Sequence, residues 1–175
     1  MSKMTLKIVT GLVLGAGIFV SAGAFAQTPP ATPPVPEVMP FDIPYGTPLS
    51  LEQAKKVAAA AAQEARSHNW KMVISVVDPN GDLVYFERMD GAMLASIAIA
   101  NHKARTSAIF RRATKVYQDA VEANHSFILS VDGVIAVEGG YPLIDNGKLV
   151  GAIGCSGGAS AQDNLTCKVA ADGFK

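Results

Sequence analysis

The glycine-rich stretch GGYPLIDNGKLVGAIGCSGGASAQD, residues 139–163, contains the residue types of several chemical sites. Within it, residues 154–158 match the G-x-S-x-G pattern of a hydrolase nucleophile and fall between a predicted strand and a predicted helix. Hydrolases of that class place the catalytic histidine after the serine, whereas the last histidine of this chain is His125. The order of these residues therefore argues against a catalytic triad at Ser156.

A phosphate-binding loop does not fit the same stretch. The Gly147-Lys148 pair has Pro142 at the position of the first loop glycine and Leu149 where a serine or threonine would bind magnesium. Asn146-Gly147 instead predicts a two-residue hairpin turn. The backbone amides after Ser156, at the start of the last predicted helix, keep the potential to hold a carboxylate.

The histidines give little support for a metal cluster, because His68, His102 and His125 are far apart in the chain. His102 differs from the other two because it lies in a predicted helix between apolar turns, beside Lys103 and Arg105. An imidazole in an apolar slot can bind haem iron, and nearby cations can neutralise the two propionates. Covalent attachment is excluded, because the chain has no C-x-x-C-H sequence.

The composition fits one globular domain with an apolar core. The chain has 175 residues, 49% of them apolar, with 15 Lys and Arg against 15 Asp and Glu. It has no basic cluster interleaved with aromatic residues, so we expect no nucleic-acid partner.

Residues 1–26 have the three parts of a secretory signal. Lys3 and Lys7 precede the apolar residues 8–20, and small residues follow up to Ala24-Phe25-Ala26. We expect cleavage after Ala26, a periplasmic or secreted mature protein and no membrane span in it. An uncleaved membrane anchor is the alternative.

Export bears on the two cysteines, Cys155 and Cys167, because thiols tend to pair outside the cytoplasm. One lies at a predicted strand end and the other in the helix that follows. The sequence leaves two states open, a disulfide or two buried free thiols.

Residues 27–48 form a proline-rich arm. Eight prolines among residues 27–50 favour an extended, polyproline-like conformation. The arm is interpreted as a spacer or as a segment that packs on a neighbouring subunit. The second interpretation rests on the apolar residues of its later half, Met39, Phe41, Ile43 and Tyr45.

The pattern of residues 49–175 predicts an α+β domain. The capping box Ser50-Leu51-Glu52-Gln53 predicts the start of a first helix. Alternating apolar runs and turn residues predict a hairpin around residues 78–81. The predicted helices are 51–67, 92–111, 114–123 and 161–171, and the predicted strands are 72–77, 83–88, 134–137, 141–144 and 149–155.

This order, α-β-β-α-α-β-β-β-α, has mostly short links, so we expect a central, mainly antiparallel five-stranded sheet flanked by helices, a profilin-like sandwich. The predicted helix 92–111 is apolar on two sides. It therefore lies either between layers of the monomer or, as we favour, at a subunit interface.

Four segments together resemble one family. SLEQAKKVAAAAAQEA, VISVVDPNGDLVYFERMDGA, IANHKARTSAIF and GGYPLIDNGKLVGAIGCSGG, followed by QD, are similar in order and spacing to the GlcG/HbpS-like haem-binding family. The sequence also resembles the C-terminal domain of PduO-type corrinoid adenosyltransferases, which the family includes. The resemblance covers about residues 49–174. It implies a compact domain with a central antiparallel sheet, assembly into dimers or larger rings, and in several relatives a site for haem or its iron.

Carried over by position, the resemblance implies a set of pocket residues: Asp90, Lys103, Thr106, Gly139, Gly140, Ser156 and Asp163. His102 is not a dependable part of the family's KART motif, so its use as an iron ligand is an inference from this sequence alone. Cys155 also departs from the family, which usually has an aliphatic residue at that position.

Our first hypothesis is an exported, oligomeric protein that binds haem or a related tetrapyrrole non-covalently and has a role in haem or iron handling or degradation. His102 or Thr106 would bind the iron, and Lys103, with Arg105 as a second candidate, would neutralise the propionates. The second hypothesis is an enzyme for a small carboxylated metabolite, with Asp163 or Asp90 as the general base. The third is an assembly module whose glycines serve packing.

Overall fold

The computed structural model of the protein describes residues 34–39 and 41–175. The predicted secretory signal and the first residues of the proline-rich arm lie outside the described residues. The chain divides into two units, residues 1–37 and 38–175. Residues 34–37, the described part of the first unit, are exposed and have neither helix nor strand.

The described elements of the second unit are four α-helices, one 3₁₀ helix and four strands. In chain order they are α1 Leu51–Ser67, β1 Val73–Val77, β2 Leu83–Arg88, α2 Ser96–Phe110, α3 Lys115–Glu122, the 3₁₀ helix Ser126–Ser130, β3 Gly140–Asp145, β4 Lys148–Ser156 and α4 Ser160–Asp172. Among the described residues, no helix is both long enough and apolar enough to cross a membrane.

The sheet is antiparallel and has four strands in the order β2-β1-β4-β3. The α+β class is as predicted, but the prediction of five strands is wrong, because residues 134–137 form no strand. Side chains hold the backbone there: the Ile135 amide donates to the Thr106 hydroxyl and the Glu138 amide to the Gln118 side chain. Apolar, β-branched residues supply the propensity for a strand, but a strand also needs a neighbour to pair with.

The local signals at α1 and at the hairpins act as the sequence predicts. The Ser50 hydroxyl accepts from the Gln53 amide at 3.2 Å, and the Ser50 amide donates to the Gln53 side chain at 2.9 Å. Asn146 and Gly147 join β3 to β4 with positive φ angles of 47° and 74°. These short-range signals therefore fix the start of α1 and the pairing of β3 with β4.

The sheet lies between two helical layers. On β1, Ile74 and Val76 belong to the core cluster that contains the buried faces of α1 and α4, whereas Val73 and Val77 pack with α2 alanines. Alternate residues of a strand face opposite sides, so α1 and α4 cover one face and α2 covers the other. A Cβ on Gly154 of β4 would overlap the backbone of Ala100 and Ala104, so this glycine permits the close approach of α2.

Helix α2 begins at Ser96, four residues after the predicted start. Residues 92 and 93 have no regular structure, residues 94 and 95 form a turn, and no side chain caps the helix start. Ala100, Ala104 and Ala108 are buried against the sheet, as expected for one of its two apolar sides. Met93, Leu94 and Ile97 remain exposed.

The later part of the proline-rich arm packs on its own domain. The Arg112 guanidinium lies 3.1 Å from the centre of the Phe41 ring, and the Tyr45 hydroxyl donates to the Ile109 carbonyl at 2.8 Å. The Leu149 amide of β4 donates to the Pro44 carbonyl. Phe41 and Tyr45, which we had considered for contact with a neighbouring subunit, thus fasten the arm to the end of α2 and to β4.

Candidate functional site

A buried ion pair joins α2 to α4. Lys103 is fully buried, and its Nζ donates to Asp163 Oδ2 at 2.7 Å and to the Cys155 carbonyl at 3.1 Å. Asp163 lies in the first turn of α4, where its charge is favoured by the helix dipole. Burial lowers the pKa of the Lys103 ammonium, while Asp163 and Glu138 oppose this effect by attraction. The two carboxylates compensate the buried cation, so the pair is a structural link between the helices.

The other carboxylate oxygen of Asp163 accepts hydrogen bonds from backbone amides just before α4. Asp163 Oδ1 accepts from the amides of Gly157 and Gly158 at 2.9 and 3.0 Å, and Gln162 Oε1 accepts from the Ala159 amide at 2.8 Å. Three of the backbone amides predicted to hold a ligand carboxylate, those of Gly157, Gly158 and Ala159, are therefore bound by the chain itself. With both oxygens engaged and only 3% of the residue exposed, Asp163 does not have the setting of a general base.

Gly139 and Gly140 pack against Lys103. Gly139 has a φ of 113°, and a Cβ there would lie 3.0 Å from Lys103 Nζ. A Cβ on Gly140 would overlap the Lys103 carbonyl. Both glycines therefore permit close packing of the chain on α2, and this conformation gives them no open surface for a ligand.

Thr106 is buried one turn after His102 and binds the irregular segment that follows the 3₁₀ helix. Its hydroxyl donates to the Gly133 carbonyl at 2.8 Å and accepts from the Ile135 amide at 3.2 Å. Both hydrogen-bonding roles of this hydroxyl are thus filled. In this conformation the hydroxyl is bound by the chain itself, and the contact of Thr106 with iron stays a prediction.

His102 is exposed on the outward side of α2. At helical spacing its neighbours are Ala95, Ala98 and Ile99, with Arg105 on one flank. Within the described part of the chain, no hydrogen bond or ion pair involves the His102 side chain. Of the other histidines, His68 stacks on Trp70 at 4.3 Å and contacts a glutamate, and His125 lies 6.1 Å from the Phe127 ring. His102 alone combines an apolar helical surface with a free imidazole.

Asp90 and Ser156 lie apart from this surface. Asp90 is exposed after β2 in a cleft of about 410 Å³ that Arg66, Lys71 and Glu87 also line. Ser156 is buried at the end of β4, with 4% of its surface exposed. The predicted site thus divides into a buried group around Lys103 and Asp163, an outward group with His102, and the distant Asp90.

Cys155 and Cys167 form a disulfide, which settles the two states that the sequence left open. The bond ties β4 to α4 beside the Lys103–Asp163 pair, because Lys103 also contacts the Cys155 carbonyl. Spacing alone could not show the bond, since it depends on which side of α4 faces β4.

Sequence reasoning missed a second cleft, of about 640 Å³, at the end of α2. Its lining combines the arm, the β1–β2 turn and α2, through Tyr45, Gly46, Pro48, Pro79, Asn80 and Ile109. Ile109 lies two helical turns after His102 on the same outward side. No group of three or more His, Cys, Asp or Glu in residues 34–39 and 41–175 has the arrangement of a metal site.

Comparison with known proteins gives consistent matches. Residues 49–172 match the family described as "Haem degrading protein HbpS-like". GlcG of Escherichia coli K12 is 37% identical over 108 residues, which cover 62% of this chain and 81% of GlcG.

Two solved structures share the fold. The PduOC:heme complex superposes with a TM-score of 0.66 at 30% identity, covering 72% of this chain and 94% of PduOC. A double mutant of Streptomyces reticuli HbpS superposes with a TM-score of 0.68 at 27% identity, covering 83% of this chain and 99% of HbpS.

Proposed function

Because this chain belongs to the HbpS-like family, we propose that it is an exported, oligomeric protein that binds haem or a related tetrapyrrole non-covalently on the outward side of α2. The solved complex of PduOC with haem supports the choice of ligand. Haem would bring a flat apolar ring, an iron that accepts one or two axial ligands, and two propionates.

The observation that carries the proposal is the exposed His102 imidazole. A neutral imidazole nitrogen is a common iron ligand, and this one has no competing hydrogen bond among the described residues. The alanines and Ile99 around it give the porphyrin an apolar surface. His68 is bound to Glu64 and stacked on Trp70, and His125 lies outside the helices, so His102 is the proposed iron ligand.

Arg105 is the proposed partner of a propionate. The sequence favoured Lys103 for this role, but Lys103 is fully buried and bound to Asp163. Arg105 is exposed three residues after His102, and its one hydrogen bond among the described residues is a long one, 3.4 Å to the Gly81 carbonyl. No carboxylate pairs with it in the described chain, so its charge is available to an anionic group.

Titration of the mature protein with haemin tests the proposal. We expect a saturable shift of the Soret band with a fixed stoichiometry. His102→Ala should weaken binding and change the spin state of the iron, because it removes an axial ligand. His125→Ala, the matched control, replaces an exposed histidine next to Phe127 and should leave the spectrum unchanged.

The outcomes separate the parts of the proposal. Absence of saturable binding would overturn the proposed function. Binding with the same spectrum in His102→Ala would retain haem as the ligand but remove His102 as the axial residue. Weaker binding in Arg105→Ala, with an unchanged Soret position, would support the propionate contact.

Export is supported by two independent features. Residues 1–26 have the pattern of a secretory signal, and the Cys155–Cys167 disulfide suits an oxidising compartment. The full-length chain, expressed in a Gram-negative bacterium, should appear in the periplasm or medium with Gln27 as its first residue. A cytoplasmic product that retains Met1 would contradict export.

A further inference from the structure

We propose that residues 133–138 form a lid, latched by the Thr106 hydroxyl, and that the porphyrin of the proposed function enters a slot that opens between this lid and α2. This inference rests on the proposed haem function and specifies how the same site admits its ligand.

His102 lies on an open surface, so burying a porphyrin beside it requires part of the chain to move. Ligand pockets typically bury most of a flat, apolar ligand. The clefts described above are lined by residues of the arm and the β1–β2 turn, or by charged residues near Asp90. A third, of about 70 Å³, lies between α1 and the C-terminus. His102 lines none of these three clefts and is exposed on the surface of α2.

Residues 133–138 have the composition and position of a lid. The segment is apolar, with Val134, Ile135, Ala136 and Val137 partly buried, yet it belongs to no helix or strand. Few backbone hydrogen bonds hold it, so local opening costs less than opening a strand of the sheet. Its position over the Thr106 side of α2 places it next to the turn that carries His102.

Both ends of the lid have the backbone of a hinge. Gly133 and Gly139 have positive φ angles of 80° and 113°, which glycine adopts more readily than other residues. The Gly139 carbonyl accepts from the Cys155 amide, so β4 fixes the end of the lid. The Gly133 end lies over the Phe110 ring with no closer contact than 3.9 Å for an added Cβ. The Gly133 end therefore packs more loosely than the Gly139 end, and the Thr106 hydroxyl is the side chain that binds it.

The Thr106 side chain holds the Gly133 half of the lid, while Gln118 binds the Glu138 amide near the end that β4 fixes. The Thr106 hydroxyl bonds both the Gly133 carbonyl and the Ile135 amide from beneath. Opening would break these two bonds together and uncover the hydroxyl, the Phe110 ring and the inner surface of the lid. The resulting slot is apolar, with one hydroxyl inside it and His102 at its edge, which suits a porphyrin inserted along its edge.

Thr106→Val tests the latch, because valine keeps the shape of threonine and removes both hydrogen bonds. Two lost bonds predict about tenfold faster hydrogen exchange at the Ile135 amide and a similar increase in the rate of haemin association. Thr106→Ser retains the hydroxyl and should keep the wild-type exchange rate. Thr166→Val is the matched control, since Thr166 is equally buried and its hydroxyl has no partner among the described residues.

Gly133→Ala provides a second variant that leaves α2 intact. An alanine at this positive φ strains the closed lid without a clash, so it should also accelerate exchange at Ile135 and haemin association. Faster exchange with an unchanged association rate in both variants would overturn the lid while retaining the proposed function. Unchanged exchange in Thr106→Val would overturn the latch. Failure of the wild-type protein to bind haemin would overturn the proposed function and, with it, the role of the lid.

Discussion

Lys103 is a fully buried charged side chain, and removing its charge from water has an electrostatic cost in the folded protein. Its ammonium has no exposed surface and depends on Asp163 Oδ2, at 2.7 Å, together with a backbone carbonyl. Removing one partner of a buried pair leaves the other charge uncompensated, and such changes cost about 3–5 kcal/mol. Lys103→Met should therefore lower the free energy of unfolding by about this amount in urea denaturation.

Lys55→Met is the matched control for that prediction. Lys55 pairs with Glu52 at 3.2 Å on the surface of α1, where both side chains are largely exposed. An exposed pair contributes about 0–1 kcal/mol, because water screens it. A loss in Lys103→Met no greater than that in Lys55→Met would contradict a structural role for the buried pair.

At the scale of residues, the family motifs led to positions that the structure brings together, and the roles of these residues toward a ligand stay predictions. The family motifs pointed to Lys103, Gly139 and Asp163, and the structure brings these three together. Lys103 and Asp163 form an internal ion pair that packs against Gly139, whereas the motifs led us to expect contacts with a ligand. Lys103 and Asp163 are 60 positions apart, and only the packing of α2 and α4 on the sheet shows that they meet.

At the scale of elements, the disulfide joins β4 to α4 across a loop of 12 residues. A cross-link of this size stabilises the folded state by about 2–3 kcal/mol, mainly by restricting the unfolded chain. The double variant Cys155→Ala, Cys167→Ala should lose this amount in urea denaturation. Dithiothreitol should cause a similar loss in the wild-type protein and none in the variant. Equal stability of the two proteins under oxidising conditions would contradict the prediction.

The elements also show which structural signals are local. Ser50 with Gln53, and Asn146 with Gly147, make their bonds or turns within a few residues, so the start of α1 and the β3–β4 hairpin could be predicted. Residues 134–137 are apolar and mostly β-branched like the residues of the strands, so their propensity predicts a strand. The Thr106 and Gln118 side chains instead bind the backbone around them. Thr106 belongs to α2 and Gln118 to α3, so the sequence around residues 134–137 could not predict these contacts.

At the scale of the whole molecule, the exposed start of α2 is the feature that bears on assembly. Met93, Leu94 and Ile97 are 56%, 74% and 38% exposed, and the sequence had already favoured this helix as a subunit interface. Clustered apolar side chains on a surface are typical of protein–protein contacts. The same helix carries His102 on its outward side, so assembly through α2 would place a second subunit near the proposed haem site.

Leu94→Glu should therefore dissociate the proposed oligomer. A carboxylate at a residue that is 74% exposed in the single chain has little effect on folding, but burying it in an interface without a partner is costly. Size-exclusion chromatography with light scattering should give the mass of an oligomer for the wild-type protein and a smaller mass for the variant. Leu165→Glu, at an exposed apolar position on α4, is the control and should keep the wild-type mass. A wild-type monomer would contradict assembly itself, and equal masses for wild type and Leu94→Glu would move the interface away from α2. Haemin titration of a monomeric Leu94→Glu protein would then show whether one chain is sufficient to bind haem, since binding equal to wild type would place the whole site within one subunit.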